Sequence, residues 1–133
     1  LKLEPAAPPA RLRITLPAGK YVIGDPSYVI PAHLWMNFVE LGDYKNPDPD
    51  HIVAAKFDGK TAIGIATAYG DGVYDDLYGN SYGVDSGMIG AVPKSLFGVP
   101  YPQLVHEHMF NEPFDCYFRK GKIVIGNVII DTN

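Results

Sequence analysis

The sequence predicts a mainly β domain of the α+β class: a twisted antiparallel sheet or partly closed barrel, with one helix packed on it near residues 31–41. Three observations carry this. Gly 14 and Pro 12 in 133 residues impose frequent turns, which suit short strands better than long helices. Several short runs alternate polar and apolar residues, or stay apolar over the length of a strand. One segment alone carries a clear helical stripe. With 133 residues and 47% hydrophobic content, the chain has material for one core: a single β-rich domain over residues 11–133, preceded by a Pro/Ala-rich extended arm over residues 1–10. A domain of this size buries roughly two-thirds of the surface of its unfolded chain, so it needs no staples and is compatible with a homo-oligomer.

The arm contains Pro5, Pro8 and Pro9 with four alanines, a composition that excludes a central strand and has no helical stripe. Residues 11–16 alternate polar and apolar as a half-buried strand does. Pro17, Ala18 and Gly19 turn the chain into a second strand over residues 20–23. Gly24-Asp25-Pro26-Ser27 is turn chemistry, because Asp bonds nearby backbone and Pro presets φ. Pro31 then opens the helix, in which Leu34, Trp35, Phe38, Val39 and Leu41 form the apolar stripe and Gly42 follows as a C-cap. Residues 43–50, polar and carrying Pro47 and Pro49, predict a surface loop. Strands are expected over 52–57 and 61–69, joined by Asp58-Gly59, a hairpin signal that demands positive φ. Gly64 in the second of these marks a bulge or a close backbone approach. A hairpin over 72–74 and 81–84, a strand over 88–92, a short helix over 103–110 and a closing hairpin of 114–118 with 122–130 complete the expectation. The total is about nine short strands and one or two helices, with no repeat of fixed period.

The net charge of -4 and a pI of ≈ 5.4 repel phosphate backbones, and the basic clusters Arg119-Lys120-Lys122 and Arg11/Arg13 are too small to reverse this, so no nucleic acid partner is expected. No apolar run approaches the roughly 20 residues of a membrane helix, so no membrane partner is expected. Residues 1–10 lack the basic start and hydrophobic block of a signal peptide; the chain starts with Leu rather than Met, which leaves room for residues upstream. The lone Cys116 excludes an intrachain disulfide, favours a reducing compartment and, within the apolar run 114–118, reads as a buried small hydrophobe rather than a nucleophile.

The densest polar stretch runs over residues 69–87, with four carboxylates (Asp71, Asp75, Asp76, Asp85), one Asn and four tyrosines (Tyr69, Tyr74, Tyr78, Tyr82) in nineteen residues. Clustered oxygen ligands can hold Ca²⁺ or Mg²⁺, but the spacing is not that of an EF-hand loop; tight turns built from Asp and Gly account for the same residues. No cofactor is expected on the turn reading, and a divalent cation on the alternative. Tyrosine offers amphipathic contact area at low entropic cost, so Tyr69, Tyr74, Tyr78 and Tyr82 are a candidate interaction surface, with packing within a sheet as the competing role. Ser86 lacks the flanking glycines of a nucleophile elbow; Asp85-Ser86-Gly87 reads as a tight turn in which Asp85 bonds nearby N–H groups. His106 and His108 would share a face on a strand but diverge on a helix. They fall short of the three protein ligands usual for catalytic zinc, which points to a surface or packing role. Gly24-Asp25-Pro26 and Gly70-Asp71-Gly72 have neither phosphate-loop spacing.

Two motifs together, Tyr21-Val22-Ile23-Gly24-Asp25-Pro26-Ser27-Tyr28-Val29 and Tyr82-Gly83-Val84-Asp85-Ser86-Gly87-Met88-Ile89-Gly90, resemble a family of small uncharacterised proteins from bacteria and tailed phages. Residues 67–75 and 125–132 are similar as well, so the resemblance spans most of residues 20–132. It implies a bacterial cytoplasmic or virion setting and supplies no activity. Members of the group often carry Cys where Ser27 stands here, so no thiol role carries over. The expected function is that of a non-catalytic interaction or structural protein with a protein partner, as a virion component or host-protein binder. The alternative is a small metal- or ligand-dependent enzyme or binding protein using residues 71–85.

Overall fold

Strands in the middle of this chain are apolar at nearly every position, which is what burial of both faces of a sheet requires. The computed structural model describes residues 2–5, 13–41, 52–98, 100–102 and 104–133. In chain order its elements are β1 (Leu3–Pro5), β2 (Arg13–Leu16), β3 (Gly19–Gly24), a 3-10 turn (Pro26–Tyr28), α1 (Ala32–Leu41), β4 (Ile52–Phe57), β5 (Lys60–Ala66), β6 (Gly72–Asp75), β7 (Ser81–Val84), β8 (Met88–Pro93), β9 (His106–Phe110), β10 (Phe114–Arg119), β11 (Lys122–Ile125) and β12 (Val128–Asp131). A six-stranded sheet has the order β1-β4-β5-β8-β3-β9, a four-stranded sheet the order β12-β11-β10-β2, and β6-β7 form a two-stranded ribbon. All pairings are antiparallel.

The larger sheet lies between two cores. On one face Ile23, Ile63, Ile65 and Ile89 meet Cys116, Ile123, Ile125 and Ile130 of the smaller sheet, with Tyr82 and Val84 of the ribbon. On the other face Val22, Val53, Ala55, Phe57 and Val92 pack beneath α1. Successive residues of β3 and β4 serve alternate cores, so the period-2 signal is present but masked by having two apolar sides. The helix enters through Phe38, which is fully buried and stacks between Trp35 and Phe57 at ring separations of 5.6 and 6.2 Å. Leu34, Trp35, Val39 and Leu41 cover the sheet from half-buried positions.

The mainly β architecture with one packed helix is as expected, and the structure resolves its finer points. The sheets stay open at their edges and do not close into a barrel. Twelve strands form among the described residues, where about nine were expected. The helix expected over 103–110 is absent: residues 106–110 are strand β9, paired to β3 from Gly19↔Phe110 to Ile23↔His106. His106-Glu107-His108-Met109-Phe110 alternates in burial, a period of two that a helix cannot use. The single strand expected over 122–130 is broken by Gly126-Asn127, a two-residue loop with Gly126 at φ 59°, a region that glycine enters at least cost. Asp58 and Gly59, at φ 51° and 78°, make the expected hairpin turn. Part of the N-terminal arm is an edge strand, β1, closed onto the hairpin by Lys2 N–H donating to Asp58 Oδ1 at 2.6 Å. The rest of the arm, residues 11–12, Gly42, the loop of 43–50 and residue 103 lie outside the described residues.

Gly24, Gly90 and Gly64 stand side by side across β3, β8 and β5. Here the expected close approach is found. A Cβ on Gly90 would lie 1.8 Å from the Ile63 carbonyl oxygen and 2.8 Å from its carbon, both backbone atoms that cannot swing aside. Gly90→Ala should therefore cost about 3 kcal/mol through overpacking. Gly98→Ala, which meets nothing within 4 Å, should stay within about 0.5 kcal/mol. Urea denaturation of the two variants checks this; equal midpoints would show that the strands can part cheaply.

Candidate functional site

The residues with the most developed polar environment sit where the six-stranded sheet hands the chain to its turns. Asp25 follows β3 and caps the 3-10 turn, with Pro26 at the position where its missing N–H costs nothing. The Asp25 side chain is fully buried and accepts five hydrogen bonds. Two come from its own turn, from Ser27 N–H at 2.9 Å and Ser27 Oγ at 2.7 Å. Three come from the β7–β8 turn: Asp85 N–H at 2.6 Å, Ser86 N–H at 2.8 Å and Ser86 Oγ at 2.7 Å. A buried carboxylate is tolerable only with such a set of donors. Tyr28 reinforces the joint by donating its hydroxyl to Asp85; burial, then that carboxylate, pushes the Tyr28 phenol well above its ordinary range.

The far end of the β6–β7 ribbon is built on Asp76. Its carboxylate, 7% exposed, accepts from Tyr78 N–H at 2.8 Å, Asn80 N–H at 3.0 Å, Asn80 Nδ2 at 3.2 Å and Tyr82 Oη at 2.7 Å. Burial alone would raise the Asp76 pKa. The donors from Tyr82, Asn80 and Tyr78 outweigh it, and the carboxyl sits below its usual range. Tyr82 is the mirror case: burial first, and then the bond to Asp76, raise its phenol far above the ordinary value. Leu77 N–H donates to the Ile129 carbonyl and Asp76 bridges Ile130, so the ribbon is fixed to β12.

Between this ribbon, β9 and the Gly126-Asn127 turn lies a cleft of ≈ 480 Å³, lined by Asp76, Tyr78, Asn80, Tyr82, His106, His108 and Asn127, with Ile23, Glu107 and Val128. Strand geometry puts both imidazoles on one face. His106 Nε2 lies 2.8 Å from the Ser81 carbonyl oxygen and its ring meets Tyr82 edge-on at 4.9 Å. His108 Nε2 lies 3.1 Å from Asn127 Oδ1, and its ring lies 4.5 Å from that of Phe110.

The four aspartates divide into two pairs. Asp75 and Asp76 lie at one end of the ribbon, where Asp75 takes the Ser81 hydroxyl at 2.5 Å. Asp85 lies at the other end, and Asp71 precedes the Gly72↔Val84 pair there. Four strand residues separate the ends, roughly 10 Å at the usual rise. Among the described residues no group of three or more His, Cys, Asp or Glu is gathered as metal ligands would be. The tyrosines also divide: Tyr69 and Tyr78 are 76% and 67% exposed, Tyr82 is buried, and Tyr74 is half-buried with its hydroxyl on the Gly70 carbonyl. The turn at 85–87 forms as expected, but its N–H groups bond Asp25, not Asp85. Ser86 Oγ is likewise engaged with Asp25. Cys116 is fully buried, and burial pushes its thiol up to about 12, far from a reactive thiolate.

Sequence reasoning missed three participants. Asp25 is legible as a turn residue that bonds nearby backbone, but not as the acceptor for a turn sixty positions on. Asn127 falls inside the strand expected over 122–130, although Gly-Asn is a hairpin signal. Thr132, fully buried, joins two segments by accepting from Ala68 N–H at 3.0 Å and donating to the Gly121 carbonyl; nothing local marks it. No protein-family model, no curated protein and no solved structure matches this chain.

Because the folded-state pKa of Asp76 is depressed, its contribution to stability is present above the unfolded-state value and is lost as pH falls through the folded one. Asp76→Asn should cost about 1–3 kcal/mol at neutral pH and flatten the acid limb of the stability curve. Denaturant unfolding at neutral and acid pH measures both; an acid limb as steep as the wild type's would refute the assignment.

Proposed function

We propose that this protein is a non-catalytic interaction module that binds a protein partner through the β6–β7 ribbon. The observation that carries this reading is a run of exposed apolar side chains along the ribbon: Tyr69 before one end, Val73 on β6, and Leu77 and Tyr78 at the Asp76 end. Of seven large hydrophobic side chains exposed among the described residues, four (Tyr69, Val73, Leu77 and Tyr78) fall within ten consecutive positions. Scattered single apolar residues are ordinary on a surface, whereas several on one protruding ribbon suit a contact site. The ribbon's far end is tied down, since Asp76 closes it and β12 holds it by the Leu77–Ile129 hydrogen bond. Beside Leu77 runs a shallow groove of ≈ 260 Å³ that combines Tyr117, Val124 and Ile129 with Arg119, Lys120 and Lys122. That mixture fits a partner segment whose apolar side chains are flanked by acidic ones.

Two of the four candidate tyrosines, Tyr69 and Tyr78, belong to this surface; Tyr74 and Tyr82 support it from within. The resemblance to small bacterial and tailed-phage proteins supports a bacterial host or a virion as the place of that partner. Asp71, Asp75, Asp76 and Asp85 make turns and hold the ribbon in this reading.

The test compares affinity capture by the wild type, by Tyr69→Ser/Leu77→Ser/Tyr78→Ser and by the control Met36→Ser, whose exposed side chain lies on α1. A specific partner retained by wild type and Met36→Ser, and lost in the triple variant with no change in Tm, is expected. Equal capture by all three would place any interaction elsewhere and overturn the proposal.

A further inference from the structure

We propose that the cleft between β9, the end of the β6–β7 ribbon and the Gly126-Asn127 turn binds a neutral polyhydroxylated ligand, with the chemistry of one or two sugar units. Its ≈ 480 Å³ lies within the roughly 300–1,000 Å³ common to small-molecule sites. The lining chemistry then selects among ligand classes.

Anions are disfavoured. No lysine or arginine lines the cleft, and its two formal charges, Asp76 and Glu107, are negative. Glu107 points away along the alternation of β9 and lies 3.6 Å from Lys94 Nζ. A cation is not called for either. Asp76 already accepts four hydrogen bonds, so its lone pairs are taken by the ribbon's own donors.

What remains are groups that both donate and accept. The Ser81 carbonyl can only accept, so His106 Nε2–H donates to it and Nδ1 is the ring's second polar atom. His108 Nε2 meets Asn127 Oδ1 in the same way, which leaves the Asn127 amide N–H₂ as a donor beside His108 Nδ1. A sugar hydroxyl donates and accepts at once and matches this pattern; a phosphate oxygen only accepts and carries charge. Tyr78, two-thirds exposed, adds an aromatic face against which the C–H side of a sugar ring can lie. The cleft thus sets Ile23, Val128 and two tyrosine rings beside polar side chains, a mixture that suits a ligand with both hydroxyl and C–H faces.

The test is a titration of the isotope-labelled protein, followed through its backbone amide resonances. The probes are glucose, galactose, mannose, N-acetylglucosamine, lactose and cellobiose at millimolar concentrations, with glucose 6-phosphate, choline and Zn²⁺ as charged comparators. At least one neutral sugar should saturably shift the amides of Asn80, Tyr82, His106, His108 and Asn127. Asn127→Ala, an exposed turn position whose loss leaves the fold intact, should weaken that sugar about tenfold, the equivalent of one lost hydrogen bond, with Tm unchanged. Three outcomes would overturn the proposal: no neutral sugar moves these resonances, a charged comparator binds them more tightly, or Asn127→Ala retains full affinity.

Discussion

A single buried carboxylate ties the turn after β3 to the turn before β8. Asp25 takes hydrogen bonds from Ser27 and from Asp85 and Ser86, sixty and sixty-one positions further on. Each charge-assisted bond of this kind contributes about 1.5–3 kcal/mol, and together they offset the cost of removing the charge from water. The consequence is positional. The turn after β3 and the turn before β8 are clamped to one another at the point where the ribbon leaves the sheet, so the ribbon's orientation is decided there.

The glycine row serves the same joint. Gly24, Gly90 and Gly64 leave a strip without side chains across three strands. A Cβ on Gly64 would meet Met88 Sδ at 2.9 Å and Pro26 Cγ at 3.5 Å, which shows how closely the 3-10 turn lies on the sheet. Close approach brings Asp25 within reach of the β7–β8 turn, and that contact in turn fixes β7. With β7 fixed, Tyr82 reaches Asp76 and Ser81 reaches His106. The cleft and the exposed apolar surface are therefore two outcomes of one arrangement.

How much of this was legible in the sequence depended on whether the signal was local. Asp58-Gly59, the stripe around Phe38 and the ribbon at 72–84 were readable because turn chemistry and periodicity are properties of neighbouring residues. The strand at 106–110 was obscured because His-Glu-His-Met-Phe is short and mixed, and only pairing with β3 fixes its conformation. The break at Gly126-Asn127 lay inside an apolar run whose hydrophobicity outweighed its turn signal. The site fared worse, for a physical reason: Asp25, Thr132 and Asn127 act through partners far along the chain. The four aspartates looked like a cluster in one dimension and became two pairs once a four-residue strand was laid between them. The motifs around residues 21–29 and 82–90 were visible as motifs, yet their meaning, that one grips the other, belongs to the folded state.

The claim that everything else follows from is the grip of Asp25 on the β7–β8 turn, and native-state hydrogen exchange reads it directly. Amides in a partly exposed turn ordinarily exchange by local fluctuation, at little free-energy cost. If the Asp25 carboxylate holds them, the amides of Asp85 and Ser86 should exchange as slowly as those of the central strands β5 and β8, opening only with global unfolding. Fast exchange at both positions, with β5 and β8 still protected, would contradict the account.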